Sequence, residues 1–445
     1  MAHASASAAD LLRRAIHPLR GERSDSDPLF ERIGDAHLVL LGEASHGTHE
    51  FYRIRAEITK RLIVDHGFSA VAVEADWPDA LRVNRYVRGL KDDADASEAL
   101  LGFVRFPQWM WRNADVLDFV GWLRSFNEGR AEASRAGFYG LDLYSLHASV
   151  DAVLEYLDIA DPAASSRARA RYACFDRFDN DLQSYGYAAS LGLEPSCEAE
   201  VVAQLVELRR AAATYRRRDH QETPDDLFYA AQNALVVANA ERYYRAMFGS
   251  RALSWNLRDG HMADTLDALV AHLSAGPASA KVVVWAHNSH LGDARATEQG
   301  RSGELNLGQL VRERHGTQTV AVGFSTYGGT VTAASGWDEP AERKVVRPAL
   351  PHSYELLFHQ LGVANFLVVT GEPGPTAALT PARLQRAIGV IYHPETERQS
   401  HYYHAQLANQ FDAMLHYDMT RAVEPLDRGA RWSTGEVPES FPTAL

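Results

Sequence analysis

The stretch "HLVLLGEASHGTHEFYRIRAEI", residues 37–58, contains the change of pattern that decides the fold. It opens with a short apolar run that ends at Gly42, and an amphipathic segment begins near Thr48. A short, continuously apolar run is typical of a parallel strand buried on both faces, and the helix that follows is the usual crossover. Glu43 and His46 lie at the junction. The stretch therefore predicts a buried β-strand, then a helix, with two ionisable side chains between them.

Seven apolar runs bounded by turn residues occur along the chain, and amphipathic segments separate them. We predict that they form one sheet, and they cover residues 37–42, 68–74, 136–142, 281–286, 319–325, 364–370 and 387–392. Residues 145–280 are rich in Ala, Arg, Leu and Tyr and have helical spacing. The predicted fold class is α/β, with a mostly parallel central sheet flanked by helices and a large helical insertion over the carboxyl ends of the strands.

One domain is predicted to account for most of the chain. Residues 1–426 are expected to form a single α/β domain that includes the helical insertion at 145–280. Residues 427–445 are rich in Pro, Gly and Ser and are expected to form a surface tail. The segment "YGGTVTAASG", residues 327–336, is interpreted as a loop and not as a phosphate cradle.

Charge and cysteine content restrict the partners and the location. The 45 basic and 58 acidic residues give a net charge of −13, which disfavours nucleic acid as a partner. No apolar stretch of about 18 residues occurs, so no membrane segment is predicted. Cys174 and Cys197 belong to no metal-binding motif and indicate no disulfide framework. These features predict a cytoplasmic protein, and none of them indicates an oligomeric state.

Ionisable and polar residues follow four of the predicted strands: Glu43 and His46 after the first, Glu74, Asp76 and Trp77 after the second, Asp142 after the third, and His287, Asn288 and His290 after the fourth. Because ligands bind at the carboxyl ends of parallel strands, we expect a functional site there. Taken singly, Glu43 also fits a helix cap and His46 a structural imidazole. Asp76 and Asp142 fit turn or cap positions.

Arg55 has an unexpected position on the helix that begins near Thr48. At about 100° per residue it falls on the same stripe as Ile58 and Leu62, which is the stripe expected to face the core. An unpaired buried charge costs several kcal/mol, so Arg55 needs an acidic partner. Glu43 and Glu74 are the candidates. The alternative is an arginine whose stem reaches solvent.

Aromatic residues and one further histidine are candidate substrate contacts. Phe106, Trp109 and Trp111 come from "FVRFPQWMWRNADVLDFVGWL" and are candidates, with Trp77, for an apolar pocket wall. Their spacing is also typical of core packing. His261 lies at the edge of the buried stripe of "LRDGHMADTLDALVAHL", where a lone histidine is more typically structural.

The familiar catalytic signatures are absent from this sequence. There is no GxSxG motif, no GxGxxG and no GxxxxGK[ST], which disfavours a serine elbow and nucleotide-dependent chemistry. Water activated by a histidine base is the simpler hypothesis. A divalent metal held by His46, His287, His290, Glu43 and Glu74 is the competing hypothesis, and the HxxH spacing supports it only weakly. We favour a site without cofactor or metal.

Five motifs in order resemble the erythromycin esterase-like family: "LGEASHGTHEFYRIRAEI", "VAVEADWPDALRVNRYVRG", "SWNLRDGHMADTL", "VVVWAHNSHLGD" and "IGVIYHPETERQSHYYHAQLANQFDAMLHYDMTRAVEPL". The resemblance covers nearly the whole chain. It implies a hydrolase that opens a macrolactone or cleaves another ester with an activated water.

By matching motif, the resemblance implies that His46 is the general base, with Glu43 as its companion. Further implied site residues are Arg55, Glu74, His287, His290 and, in the "RDGHMA" segment, His261. Stabilisation of the oxyanion falls to Arg55, His287 or His290. The expected partner is a small-molecule ester or lactone. Family membership does not by itself imply macrolide resistance. The alternatives are a divalent-metal-dependent hydrolase and a non-catalytic small-molecule binding protein.

Overall fold

The computed structural model describes residues 7–90, 93–178, 181–218, 224–275 and 279–427. Apart from Asp427, the predicted surface tail lies outside the described residues. The strands are β1 (His17–Pro18), β2 (Leu38–Leu41), β3 (Ala70–Asp76), β4 (Gly137–Asp142), β5 (Val282–Trp285), β6 (Thr319–Ala333), β7 (Glu342–Val346), β8 (Asn365–Val369), β9 (Arg383–Arg386), β10 (Tyr402–Ala405) and β11 (Ala413–Thr420).

The α-helices alternate with these strands and range from single turns to long rods. They are α1 (Ala8–Arg13), α2 (Asp27–Ile33), α3 (His49–His66), α4 (Trp77–Val87), α5 (Ala96–Ala99), α6 (Ala114–Asn127), α7 (Leu146–Ala160), α8 (Pro162–Tyr172), α9 (Leu182–Ser190), α10 (Glu198–Arg218), α11 (Pro224–Ala246), α12 (Arg251–Leu273), α13 (Asn288–Leu291), α14 (Glu298–Arg301), α15 (Leu307–His315), α16 (Tyr354–His359), α17 (Pro373–Leu379), α18 (Glu397–Ser400) and α19 (Leu407–Gln410).

One large sheet organises the molecule. Its strand order is β1-β8-β11-β6-β2-β5-β3-β4, and β7 pairs with the far end of β6. The strands from β11 to β4 in this order are parallel to their neighbours. Strand β8 is antiparallel to β11, β1 to β8, and β7 to β6. The prediction of an α/β fold with a mostly parallel central sheet is confirmed.

The central strands are buried on both faces, which explains their unbroken apolar runs. In β2, Val39 and Leu41 pack into one core together with α3, whereas Leu38 and Leu40 pack into a second core together with α12. Successive side chains of a strand point to opposite faces, so a sheet covered on both sides needs apolar residues at every position. Six of the seven predicted strands accordingly coincide with β2, β3, β4, β5, the first part of β6, and β8.

The seventh predicted strand, residues 387–392, is wrong. These residues follow β9, which pairs only with β10 in a separate antiparallel ribbon, and they make isolated bridges instead of a ladder. The prediction misses β11, which lies between β6 and β8, together with the strands β1, β7, β9 and β10. The sequence of β11 contains His416, which is fully buried and lies 2.9 Å from the Ser325 hydroxyl. A polar residue inside the strand therefore interrupted the apolar pattern.

The predicted loop at residues 327–336 is also wrong, because β6 continues to Ala333 and pairs with β11 on one side and β7 on the other. Gly329 accounts for the error. Its φ is +132°, and a Cβ at this position would collide with the backbone of Thr420. Glycine is also typical of turns, so a glycine that is required because two strands approach closely was interpreted from the sequence as part of a loop.

Helices α7 to α12 lie between β4 and β5, and α7 to α11 share a separate apolar core. Cys174 and Cys197 form a disulfide that connects the segment after α8 to the start of α10. The expectation that these cysteines form no disulfide is wrong, because helix packing brings together two residues separated by 23 positions. Among the described helices, none is long and apolar enough to cross a membrane.

Candidate active site

The carboxyl ends of β2, β5, β3 and β4 lie side by side, because these strands are neighbours in the sheet. They are the same four strands after which the sequence has its ionisable residues. Six of these side chains are brought together in the interior and are at most 6% exposed: Glu43, His46, Glu74, Asp142, His287 and His290.

His46 and Glu43 form a dyad in the segment between β2 and α3. His46 Nδ1 lies 2.9 Å from Glu43 Oε1. A carboxylate at Nδ1 accepts an N–H, so we assign the tautomer that leaves the lone pair on Nε2. Gly47 fixes the turn that carries the imidazole, because a Cβ there would collide with the backbone of Thr332. The strand-to-helix junction therefore holds His46 against Glu43.

Arg55 contacts the Glu43 side of this dyad. Its Nη2 lies 2.7 Å from Glu43 Oε2, and both side chains are fully buried. The guanidinium lies over the rings of Tyr52 and Trp285, at 4.4 and 5.1 Å from the ring centroids. Arg55 therefore lies on the buried stripe of α3, as the helical phase predicts, and its acidic partner is Glu43. It lines neither of the cavities described below.

His287 lies beside His46, with the ring centroids 4.9 Å apart. Its Nδ1 accepts a hydrogen bond from the backbone N–H of Ser289 at 3.2 Å. A ring nitrogen that accepts carries no proton, so the neutral ring has its proton on Nε2. Burial, with a contribution from His46, lowers the pKa of His287 well below its usual value. Nε2 makes no hydrogen bond of normal geometry with the described residues, and the nearby Ala44 backbone opposes the fall in pKa, so His287 can present this N–H to a ligand.

Glu74, at the end of β3, is held by three donors. Its Oε2 accepts from the backbone N–H of His287 at 2.9 Å, and its Oε1 accepts from Arg258 Nη2 at 2.8 Å. His290 Nε2 lies 3.2 Å from Oε1. Burial opposes ionisation, but His290 and Arg258 outweigh it and hold the pKa of Glu74 well below its usual value. Glu74 is therefore an anchored carboxylate.

His290 lies between two carboxylates. Its Nδ1 is 2.9 Å from Asp259 Oδ1, and its Nε2 faces Glu74. Burial opposes protonation, but Asp259 and Glu74 raise the pKa of His290 to about 10. His290 is therefore an imidazolium that donates to both neighbours. Arg258 Nη1 lies 3.2 Å from His290 Nε2. Because both groups carry protons, this is a contact between two donors, and both residues donate to Glu74.

Arg258 connects β3 and β4, and sequence reasoning missed it. Its Nε and Nη2 lie 3.1 and 2.6 Å from the two oxygens of Asp142, which lowers the pKa of Asp142 despite burial. The signal was present in the sequence. Arg258 and Asp259 precede Met262 by four and three residues and therefore share its buried stripe on α12. The argument that identifies Arg55 also applies to Arg258.

Two adjoining cavities, here named the first and second lobes, meet at the site. The first lobe covers about 680 Å³ when the space open to solvent is included, and His287 and His290 are part of its wall. The second covers about 470 Å³ on the same basis and lies towards the carboxyl ends of β3 and β4. His46, Glu74 and Arg258 line both lobes. A ligand in either lobe can therefore contact the candidate base.

The structure does not bring every predicted contact residue to these lobes. Trp77 and Trp109 are 1% exposed and pack in the apolar cores. His261 Nδ1 lies 2.9 Å from Asn239 between α11 and α12, and burial lowers its pKa to about 4. Phe106 and Trp111 do line the second lobe. Of the predicted substrate contacts, these two are thus the ones with access to a lobe.

The residues suggested as metal ligands have other partners. His46 faces Glu43, His290 faces Asp259 and Glu74, and His287 accepts through Nδ1 from Ser289. Within the described ranges, no group of three or more His, Cys, Asp or Glu side chains is arranged to hold a metal ion.

Comparison with known proteins identifies relatives. The family profile described as Erythromycin esterase matches residues 63–420, a range that begins after Glu43, His46 and Arg55. The erythromycin esterase type II of Escherichia coli is 23% identical over 319 residues, covering 69% of this chain and 73% of that protein. The type I enzyme of Escherichia coli is 23% identical over 334 residues, covering 72% and 77%.

Solved structures share the fold. A Bacillus cereus protein superposes with a TM-score of 0.76 at 19% identity, covering 94% of this chain and 98% of that one. A histidine mutant of the erythromycin esterase EreC, in its open conformation, superposes with a TM-score of 0.67 at 19% identity, covering 92% and 97%. Because the family profile spans most of the chain, the chain belongs to the erythromycin esterase family.

Proposed function

We propose that this protein hydrolyses a carboxylic ester or a macrolactone by attack of a water molecule that His46 deprotonates. Membership of the erythromycin esterase family implies a hydrolase that acts on esters. The observation that carries the mechanism is the chain of buried contacts from Arg55 to Glu43 to His46, which ends at the point shared by the two lobes.

The reaction follows from the assigned tautomer. Nε2 of His46 takes a proton from water as the oxygen attacks the carbonyl carbon, and Glu43 stabilises the imidazolium that forms. Collapse of the tetrahedral intermediate breaks the bond to the alcohol oxygen, and His46 returns its proton to that oxygen. The products are an acid and an alcohol, or one hydroxy acid from a lactone. Base catalysis of this kind contributes about 10²–10⁴ in rate.

Stabilisation of the oxyanion is assigned to His287. Its Nε2–H is buried, makes no hydrogen bond of normal geometry with the described residues and belongs to a residue in the wall of the first lobe. A preorganised N–H donor in a water-poor site is the arrangement that stabilises developing negative charge. Arg55 lies outside both lobes, and the ring nitrogens of His290 face Asp259 and Glu74, which supports His287 among the three residues considered from the sequence.

The names of the relatives support a narrower substrate class. Macrolactones are the narrower proposal, because the characterised relatives are named for erythromycin. Metal ions are not part of the proposed mechanism.

Incubation in ¹⁸O-labelled water, with mass spectrometry of the products, tests this proposal. An erythromycin-type macrolide and a panel of simple esters serve as substrates. We expect a product one water heavier, or an acid and an alcohol, with the label in the new carboxylate. His46→Asn should abolish turnover. A folded His46→Asn protein with the wild-type rate contradicts the mechanism, and binding without turnover of any ester contradicts the enzyme assignment.

His49→Asn is the matched control. His49 lies three residues further along and forms a similar pair with Asp115 at 2.9 Å, but it lines neither lobe. We expect this variant to retain the rate of the unmodified protein. An equal loss in both variants indicates general damage to the region and not removal of a base.

A further inference from the structure

The second lobe has an excess of negative charge. Its wall includes four carboxylates, Glu74, Asp76, Asp79 and Asp142, and two guanidinium groups, Arg105 and Arg258. An anionic ligand would therefore meet a surplus of like charge. The lobe favours a cation, because clefts lined by one sign of charge attract ligands of the opposite sign.

Asp76 provides an oxygen for such a ligand. It is 5% exposed, and its Oδ2 accepts from Arg105 Nε at 2.9 Å. Its Oδ1 is buried and has no hydrogen-bond partner among the described residues. A carboxylate oxygen without a donor in the interior is costly, so a donor is expected from a bound molecule.

A structural role does not account for this oxygen. Asp76 occupies the residue before α4, the position at which an aspartate usually caps a helix, yet its side chain accepts no backbone N–H of that helix. The neighbouring carboxylates differ. Asp142 accepts from Arg258 and from the backbone N–H of Leu143, and Glu74 accepts from Arg258 and His287.

The rest of the lobe fits an alkylated ammonium group. Phe106 and Trp111 supply apolar rings for N-alkyl substituents. The ring of Tyr144 already lies under two cations, with Arg105 and Arg258 at 4.7 and 4.9 Å from its centroid. A further cation is therefore better placed on the free carboxylate oxygen than on that ring.

We propose that the second lobe binds a protonated amine, whose N–H donates to Asp76 Oδ1. If the proposed esterase function holds, on which this reading of the substrate rests, the substrate is an ester or lactone that also bears a basic amine. The amine lies in the second lobe while the carbonyl carbon lies beside His46.

The charge state of the unliganded site agrees with this assignment. Burial raises the pKa of Asp76 against the opposing effect of Arg105, and Asp142 adds to the increase. This is the behaviour of a carboxylate that lacks part of its compensating positive charge. A bound ammonium group supplies that charge.

Equilibrium binding of N,N-dimethylbenzylamine to the full chain at pH 7, measured by titration calorimetry, tests the site without any need for turnover. Benzyl alcohol is the neutral comparison ligand. We expect the amine to bind at least tenfold more tightly than the alcohol. Asp76→Asn should weaken amine binding by about tenfold to a hundredfold, as expected for loss of a hydrogen bond to a charged group.

Two further variants define the location of binding. Asp79→Asn removes one negative charge from the wall of the same lobe and should weaken amine binding by a smaller factor. This variant also keeps the test available if Asp76→Asn does not fold. Glu304→Gln removes a buried carboxylate from the wall of the first lobe and should leave amine affinity within about twofold. Equal affinity for amine and alcohol overturns the proposal. So does a loss of amine affinity in Glu304→Gln that is absent from the two second-lobe variants, Asp76→Asn and Asp79→Asn.

Hydrolysis of paired esters separates this proposal from the proposed function. A dimethylaminoalkyl ester and its isopropyl-bearing neutral counterpart are compared by kcat/KM. Preference for the amine ester, reduced by Asp76→Asn, supports both proposals. Hydrolysis without amine preference overturns only the amine site as a substrate determinant. Asp76-dependent amine binding without hydrolysis of any ester retains the amine site and overturns the esterase.

Discussion

Replacement of Glu43 by Gln is expected to reduce stability and activity through two different effects. The Glu43 and Arg55 side chains are both fully buried, with 2.7 Å between Oε2 and Nη2. Removal of one partner from a buried ion pair costs about 3–5 kcal/mol, because the remaining charge has no compensation. Tyr52 and Trp285 still face the guanidinium at 4.4 and 5.1 Å, so we expect the lower end of that range.

The loss of activity has a separate cause. An amide at position 43 offers His46 Nδ1 either an acceptor oxygen or an N–H₂ donor, and it carries no negative charge to stabilise the imidazolium. Turnover should therefore fall by about 10²–10⁴-fold, which is the usual contribution of an oriented base. The best ester from the panel serves as substrate, and urea unfolding followed by circular dichroism measures stability.

The double variant Glu43→Gln, Arg55→Met separates the two effects. Removal of the arginine charge leaves no unpaired ion, and replacement of a buried ion pair by apolar groups is often nearly neutral. We therefore expect most of the lost stability to return, while turnover stays low because His46 still lacks its carboxylate. A folded single variant with the wild-type kcat/KM refutes the role of Glu43. A double variant as unstable as the single one refutes the role of the ion pair.

Three further predictions concern the donor, the metal and the pH. His287→Phe keeps the ring but removes Nε2–H, and it should lower kcat by about 10²–10³-fold with little change in KM; an unchanged kcat contradicts the oxyanion assignment. Treatment with EDTA followed by dialysis should leave the rate unchanged, and loss of activity restored by zinc or manganese contradicts the metal-free mechanism. The folded-state pKa of His290 is raised from 6.5 to about 10. Its contribution to stability is therefore complete below about pH 6.5 and is lost as the pH rises towards 10. Asp259→Asn should flatten that decline in urea unfolding, and an identical decline in both proteins contradicts it.

The sequence was sufficient for the parallel strands β2, β3, β4 and β5 and for the first part of β6, because strands covered on both faces have unbroken apolar runs. It failed where a buried strand contains a polar residue or glycine. His416 in β11 and Gly329 in β6 have tertiary partners, Ser325 and the Thr420 backbone, that no local pattern indicates. The disulfide between Cys174 and Cys197 has the same character, since only helix packing makes the two residues neighbours.

The candidate site was partly predictable for a related reason. Residues at the ends of adjacent parallel strands must converge, so Glu43, Glu74 and His287 could be grouped without knowledge of a single distance. The aromatic candidates could not be assigned in this way. An apolar side chain suits a pocket wall and the protein core equally well. In the structure, Trp77 and Trp109 lie in the core.

Two buried arginines, Arg55 and Arg258, each pair with a carboxylate at the candidate site. Arg55 comes from α3, which packs on one face of the sheet, and Arg258 comes from α12, which packs on the other. Each reaches the carboxyl edge and neutralises a strand-end carboxylate, Glu43 and Glu74 respectively. A carboxylate at a buried strand end needs such a cation, and a helix covering the sheet is the nearest element that can provide it. An arginine on the buried stripe of a covering helix therefore indicates an acidic strand end beneath it, and from the sequence alone Arg258 could have been assigned to the site on the same grounds as Arg55.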